Sequence, residues 1–235
     1  MNSTTVAPKA SGRTTAVLWC VAVGIGAPIV ARAIRILVEN VTGAGPAGPA
    51  SIPAEWWTID VRATSFAIRE LGLLALFALF LRARGLRWLD LGFRRPGTAL
   101  AWGVAFVVLA LGLASHPFGR AGAYPVAPYT LYAGAAIGIP VALFEESIYR
   151  GFVITTLRAG GFGVVGQVAL AGVLFGCAHM FYLGSDWTVP LFTGVLGCIW
   201  AWIYVAGRDA LWPTLITHAI NDAVIMPYFY LHGVY

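Results

Sequence analysis

Residues 129–150 read YTLYAGAAIGIPVALFEESIYR, and this stretch decides the fold. Residues 129–144 carry no charged side chain, and the run then ends in Glu145, Glu146 and Arg150. An apolar segment of this length reaches across a hydrocarbon core of ~30 Å when helical. Similar apolar segments recur at about 14–37, 63–81, 98–115, 165–183, 187–206 and 211–230. The expected fold is therefore all-α: a polytopic transmembrane helix bundle of about seven spans.

Composition points the same way. Of the 235 residues 59% are hydrophobic and 11% charged, where a soluble domain carries roughly 25% charged. So few charges cannot furnish a water-facing surface. The net charge of +5 is unevenly placed: Arg82, Arg84, Arg87, Arg94 and Arg95 face only Asp90 in one segment between two apolar spans. That pattern fits the positive-inside rule and argues against nucleic acid as a partner. The partners expected are membrane lipids and a membrane-associated peptide or protein. The three cysteines, Cys20, Cys177 and Cys198, lie in apolar segments and read as small buried hydrophobes, not as a disulfide framework or zinc ribbon.

Residues 1–13 form a polar, cytoplasmic tail. Residues 14–128 supply three membrane helices, with a Gly/Pro-rich external loop at 39–62 whose Trp56 and Trp57 suit an interfacial belt. Residues 14–37 also resemble a signal peptide around Ala31-Arg32-Ala33, but the apolar part is long and an uncleaved first span serves better. Placing residues 82–97 inside puts the N-terminus in the cytoplasm and Arg158, Arg208 and Asp209 on cytoplasmic turns. Arg32 and Arg35, at the outer end of the first span, run against the rule.

Charges inside a bilayer cost ~2.5–3.5 kcal/mol each on insertion scales, so each needs a reason. Three segments carry them: Phe144-Glu145-Glu146-Ser147-Ile148-Tyr149-Arg150-Gly151, Phe175-Gly176-Cys177-Ala178-His179 and His218-Ala219-Ile220-Asn221-Asp222. Glu146 and Arg150 are four apart with the acid first, the favoured order for an ion pair. Glu145 lies about 100° around the helix and reads as the free carboxylate, with Tyr149 on its face. Gly160-Gly161 marks a turn, and Glu145 and His179 are equidistant from position 162, so a helical hairpin makes them neighbours. Phe175 shares the face of His179 and reads as packing. His218 and Asp222 are one turn apart, with Asn221 beside them. His218 lies about 10 Å into the membrane, and Glu145 lies at a comparable depth if Arg150 is near the cytoplasmic end.

These residues support two chemistries. In one, Glu145 helped by His179 takes a proton from water, while His218 with Asn221 or Asp222 stabilises an oxyanion. In the other, Glu145, His179 and His218 hold a zinc ion with one position open to water. HExxH, GxGD and GxSG are absent from the chain. A proton-coupled transporter and a catalytically silent scaffold or immunity factor are the alternative readings.

The three segments, in order, resemble the CAAX protease and bacteriocin-processing (CPBP, or Abi) family of intramembrane proteases, related to the type II CAAX prenyl endopeptidases. The family pattern EExxxR, FxxxH and HxxxN/D falls here on Glu145-Glu146 to Arg150, Phe175 to His179, and His218 to Asp222. The resemblance implies a catalytic membrane core over 129–230 in a bacterial-style plasma membrane. It also implies peptide-bond hydrolysis near the cytoplasmic face, with Glu145 as base, His179 as its partner, and His218 and Asp222 supporting the oxyanion. Asp222 stands where the family more often has Asn. An ionised Asp repels an oxyanion, so Asp222 is protonated, Asn221 donates instead, or a metal is present.

Overall fold

The computed structural model describes residues 12–42, 56–115, 128–182 and 187–231, and among them the regular structure is entirely helical. The helices are α1 (Arg13–Thr42), α2 (Trp56–Ala83), α3 (Ala99–Ser115), α4 (Pro128–Glu146), α5 (Ile154–Ala159), α6 (Val164–Tyr182), α7 (Thr188–Ala206) and α8 (Trp212–Leu231). A 3-10 turn, Trp88–Leu91, lies between α2 and α3. Between α4 and α5 the backbone continues without a break as a π-helical segment, Ser147–Val153.

Two boundaries differ from expectation. The loop expected at 39–62 is shorter, because α1 runs to Thr42 and α2 begins at Trp56. The side chains of Trp56 and Trp57, and the tail up to residue 11, lie outside the described residues. The fourth span does not end near Arg150 but runs on to Ala159, where Gly160 and Gly161 turn the chain. Arg150 is thus an interior residue, 0% exposed, not a marker of the helix end.

The bundle encloses a cluster of charged side chains within an apolar core and also exposes large apolar side chains. Glu146 and Arg150 are 0% exposed, whereas Leu191 is 72% and Phe192 68% exposed. Water would reverse that distribution; hydrocarbon produces it. By length and composition two helices suffice to cross a membrane, Arg13–Ile34 and Thr188–Ala206, with shorter apolar helices at Ala99–Ser115 and Val164–Met180. These are the candidate spans among the described residues.

Small residues choose which helices pair. α4 packs chiefly on α8 and then α2, while α6 packs chiefly on α7 and then α1. A Cβ at Gly138 of α4 would lie 2.5 Å from the Ala223 nitrogen and 2.9 Å from the Ala219 oxygen of α8. At Gly176 of α6 it would lie 2.5 Å from the Pro190 oxygen and 2.9 Å from the Gly194 Cα of α7. Backbone meets backbone at both crossings, the contact that small residues permit between membrane helices.

One end of the bundle is tied by charge. Asp209, in the α7–α8 turn, accepts from Arg158 at 2.5 and 2.7 Å and from Arg95 at 3.1 Å. Trp212 Nε1 donates to the Phe93 oxygen at 2.9 Å, and Tyr204 donates to the Leu91 oxygen at 3.1 Å. The arginine-rich segment and both turns thereby share one end, as their common placement on one side requires. Within that segment, burial raises the Asp90 carboxyl, but the hydrogen bonds and charge of Arg87 outweigh it and hold the group below the usual carboxylate range.

Gly138→Ala is expected to lower the unfolding midpoint in detergent, with an overpacking cost of about 1–3 kcal/mol. Gly103→Ala, where the added methyl meets nothing within 4 Å, is the control and leaves the midpoint unchanged or slightly raised.

Candidate active site

Glu145 and Glu146 close α4, and the π segment begins at the next residue. π turns inside α-helices are uncommon and occur often at functional sites. Adjacent residues on a helix point about 100° apart, yet both carboxylates reach one side chain, His218 of α8. His218 Nδ1–H donates to Glu146 Oε1 at 2.8 Å, and His218 Nε2 stands 3.7 Å from Glu145 Oε2. The same Nε2 is 3.3 Å from Asp222 Oδ2, one turn along α8. Carboxylate oxygens thus flank both ring nitrogens, an arrangement that the doubly protonated ring satisfies as a donor on each side.

Behind His218 lies Arg150. Its Nη1 is 3.1 Å from Glu146 Oε1, which places Glu146 between a guanidinium and an imidazole. This is the ion pair that the i, i+4 spacing predicts. Among the described residues the three Arg150 nitrogens make no hydrogen bond. The guanidinium lies instead over the Phe175 ring at 4.4 Å and the Trp200 ring at 5.1 Å, the cation–π geometry.

His179 enters from α6. Its Nδ1–H donates to the Phe175 carbonyl oxygen at 2.8 Å, because a carbonyl only accepts. In the neutral ring that bond leaves the lone pair on Nε2. Phe175 joins the parts: its ring centroid is 4.5 Å from that of His179, 5.1 Å from that of Tyr149 and 6.4 Å from that of His218. It was read as packing and is the aromatic hub of the cluster.

Several expected placements change. Glu145 Oε2 stands 3.7 Å from His218 Nε2, a neighbour that the hairpin reading, which paired it with His179, did not single out. α4 and α6 are consecutive long helices, but α4 takes α8 as its main partner and α6 takes α7. Tyr149 donates to the Gly24 oxygen at 2.7 Å, so its hydroxyl is bound to α1 and does not line a pocket with Glu145. The Asn221 amide donates to Asp222 Oδ1 at 3.3 Å, which ties it to its neighbour through one of its two N–H groups. Among the described residues no group of three or more His, Cys, Asp and Glu side chains is arranged to hold a metal ion. The zinc set Glu145, His179 and His218 is therefore not assembled, and His218 already directs both nitrogens at carboxylates.

Two contributors escaped the sequence reading. Arg69 and Glu70 of α2 are paired through two hydrogen bonds to Glu70 Oε1, at 2.9 and 2.6 Å, and their side chains are buried. α2 packs on α4, the helix that carries Glu145. The signal was present, since both are ionisable residues inside an apolar segment. Trp200 of α7, with its ring 4.3 Å from that of His218, gave no signal, because an aromatic in an apolar helix reads as core.

This geometry falls within a recognised family segment. Residues 127–224 match the family model described as Type II CAAX prenyl endopeptidase Rce1-like. That segment is Rce1-like. The match covers Glu145, Glu146, Arg150, His179, His218, Asn221 and Asp222, as the CPBP resemblance of the three motifs leads one to expect. Arg69 and Glu70 lie outside the Rce1-like segment, on a helix that packs against α4. No curated protein and no solved structure matches the chain.

Glu146→Gln strands the buried Arg150 charge and is expected to destabilise the fold by about 3–5 kcal/mol. Combining it with Arg150→Gln should recover part of that loss, read as a coupling energy in a double-mutant unfolding cycle.

Proposed function

We propose that the chain is an intramembrane endopeptidase that hydrolyses a peptide bond of a membrane-associated protein or peptide through water activated by Glu145. The observation that carries this reading is the 3.7 Å separation of Glu145 Oε2 and His218 Nε2. It is too long for a hydrogen bond, while one water at ordinary distance from both atoms fits it. Glu145 takes a proton from that water, the oxygen adds to the scissile carbonyl, and the proton passes to the departing amine. His218 stands beside the developing oxyanion as a cation, fixed at Nδ1 by Glu146. Asp222 balances His218 on its other nitrogen, which gives an acid a place where Asn is the more usual family residue. His179, held at Nδ1 by the Phe175 carbonyl, offers Nε2 as a second proton acceptor. Glu146, Arg150 and Asn221 position these groups. No step is routed through a metal.

The Rce1-like match supports protease chemistry, and the family's own description concerns prenylated CAAX substrates. For this chain the substrate class we propose is a lipid-anchored or otherwise membrane-bound segment, of CaaX type or a peptide precursor. Such a segment meets a site buried among membrane helices from the lipid. We further propose a multi-pass protein of the plasma membrane with the N-terminus and residues 82–97 in the cytoplasm, supported by the charge bias of that segment.

The test is cleavage of a library of membrane-anchored peptides by the protein in proteoliposomes, with and without chelator. Glu145→Gln should lower the rate by about a hundredfold or more, keep the unfolding midpoint, and the chelator should leave the wild-type rate intact. Wild-type protein that cleaves nothing, or Glu145→Gln protein that retains its rate, would overturn the reading.

A further inference from the structure

His218 is fixed at its edges. Glu146 holds Nδ1, while Asp222 and Glu145 face Nε2. Contacts at the ring's edge do little to stop it from rocking about its Cβ–Cγ bond, and that rocking would swing both nitrogens out of line with their partners. What opposes rocking must lie on a ring face. The Phe175 ring presents an edge-on contact at 6.4 Å with planes 82° apart. Trp200 lies closer, with centroids 4.3 Å apart and planes inclined by 38°.

Trp200 is an expensive choice for mere filling. It is 4% exposed, and its indole N–H has no hydrogen-bond partner among the described residues. A buried donor without an acceptor is costly, and phenylalanine would occupy much of the same space without one. Indole does supply the broadest and most cation-attracting aromatic face. Two cationic groups lie against the indole here, the His218 imidazolium and the Arg150 guanidinium at 5.1 Å.

We propose that Trp200 is a positioning residue for the hydrolytic site: its indole face holds the His218 ring in the plane that aligns Nδ1 with Glu146 and Nε2 with Glu145 and Asp222. The Arg150 guanidinium also lies over the indole, 5.1 Å from its centroid, so one side chain of α7 touches both ends of the Arg150–Glu146–His218 chain. This role rests on the hydrolytic reading for its effect on rate, but not for its effect on the ring.

The experiment follows both effects in full-length, 15N-histidine-labelled protein in detergent micelles, comparing wild type with Trp200→Phe and Trp200→Leu. The downfield Nδ1–H resonance of the His218–Glu146 hydrogen bond should exchange with water faster in the Phe variant and vanish in the Leu variant. For Trp200→Phe the unfolding midpoint should stay near that of wild type, KM should be unchanged and kcat should fall about tenfold. A Leu variant whose Nδ1–H exchanges at the wild-type rate overturns the proposal, as does a Phe variant with undiminished kcat. So does a loss of kcat across the series that only tracks a falling midpoint. If the resonance responds as expected while wild-type protein cleaves no peptide, the positioning role stands and the hydrolytic reading alone falls.

Discussion

The structure depends on keeping a row of buried charges paired. Arg150, Glu146 and His218 form that row, with Arg150 Nη1 and His218 Nδ1 at 3.1 and 2.8 Å from the same Glu146 oxygen. In a low-dielectric interior a lone ion is prohibitive, and a paired one is tolerable only when geometry and further contacts are good. Here the further contacts are ring faces. Phe175 and Trp200 surround the guanidinium, and Trp200 also covers the imidazole. The row holds α4 to α8 by charge and to α6 and α7 through aromatic rings.

The backbone makes room for this. A helix that displays two acids in succession directs them at different neighbours, and a single partner normally meets only one of them. His218 meets both because its two nitrogens lie on different edges of one ring. The helix beyond Glu146 is wound as a π segment, and Gly138 lets α8 approach α4 at backbone contact. One acid is thereby spent on structure and the other is left facing an imidazole across a gap. α2, which lies outside the Rce1-like segment, packs against α4 and buries a charged pair of its own, Arg69 and Glu70.

Much of this was legible in the chain. The positions of the long helices follow from apolar runs interrupted by turns, and the ion pair follows from i, i+4 spacing. The gathering of Glu145, His179, His218 and Asp222 follows from the expense of leaving each alone in hydrocarbon. What was not legible is which helices pair most closely, since α4 takes α8 and not the next long helix as its main partner. Glycines at 138 and 176 carry the pairing preference, and their meaning depends on which helix brings a matching small surface. Arg69 and Glu70 were readable by the same rule that found the other acids. Trp200 was not, since nothing in an aromatic residue tells whether its face will meet an aliphatic chain or a cation.

The sequence by itself determined that the chain is helical, apolar outside, and burdened with a few ionisable residues that must find one another. Hydropathy, spacing and ionic cost are properties of a segment taken alone. Only the tertiary structure decided that His218 stands between Glu146 and Glu145, that Asn221 hydrogen-bonds Asp222, and that Trp200 of α7 covers the imidazole. Those outcomes depend on which backbones can touch and on the direction each side chain then takes, and both are set between helices, not within them.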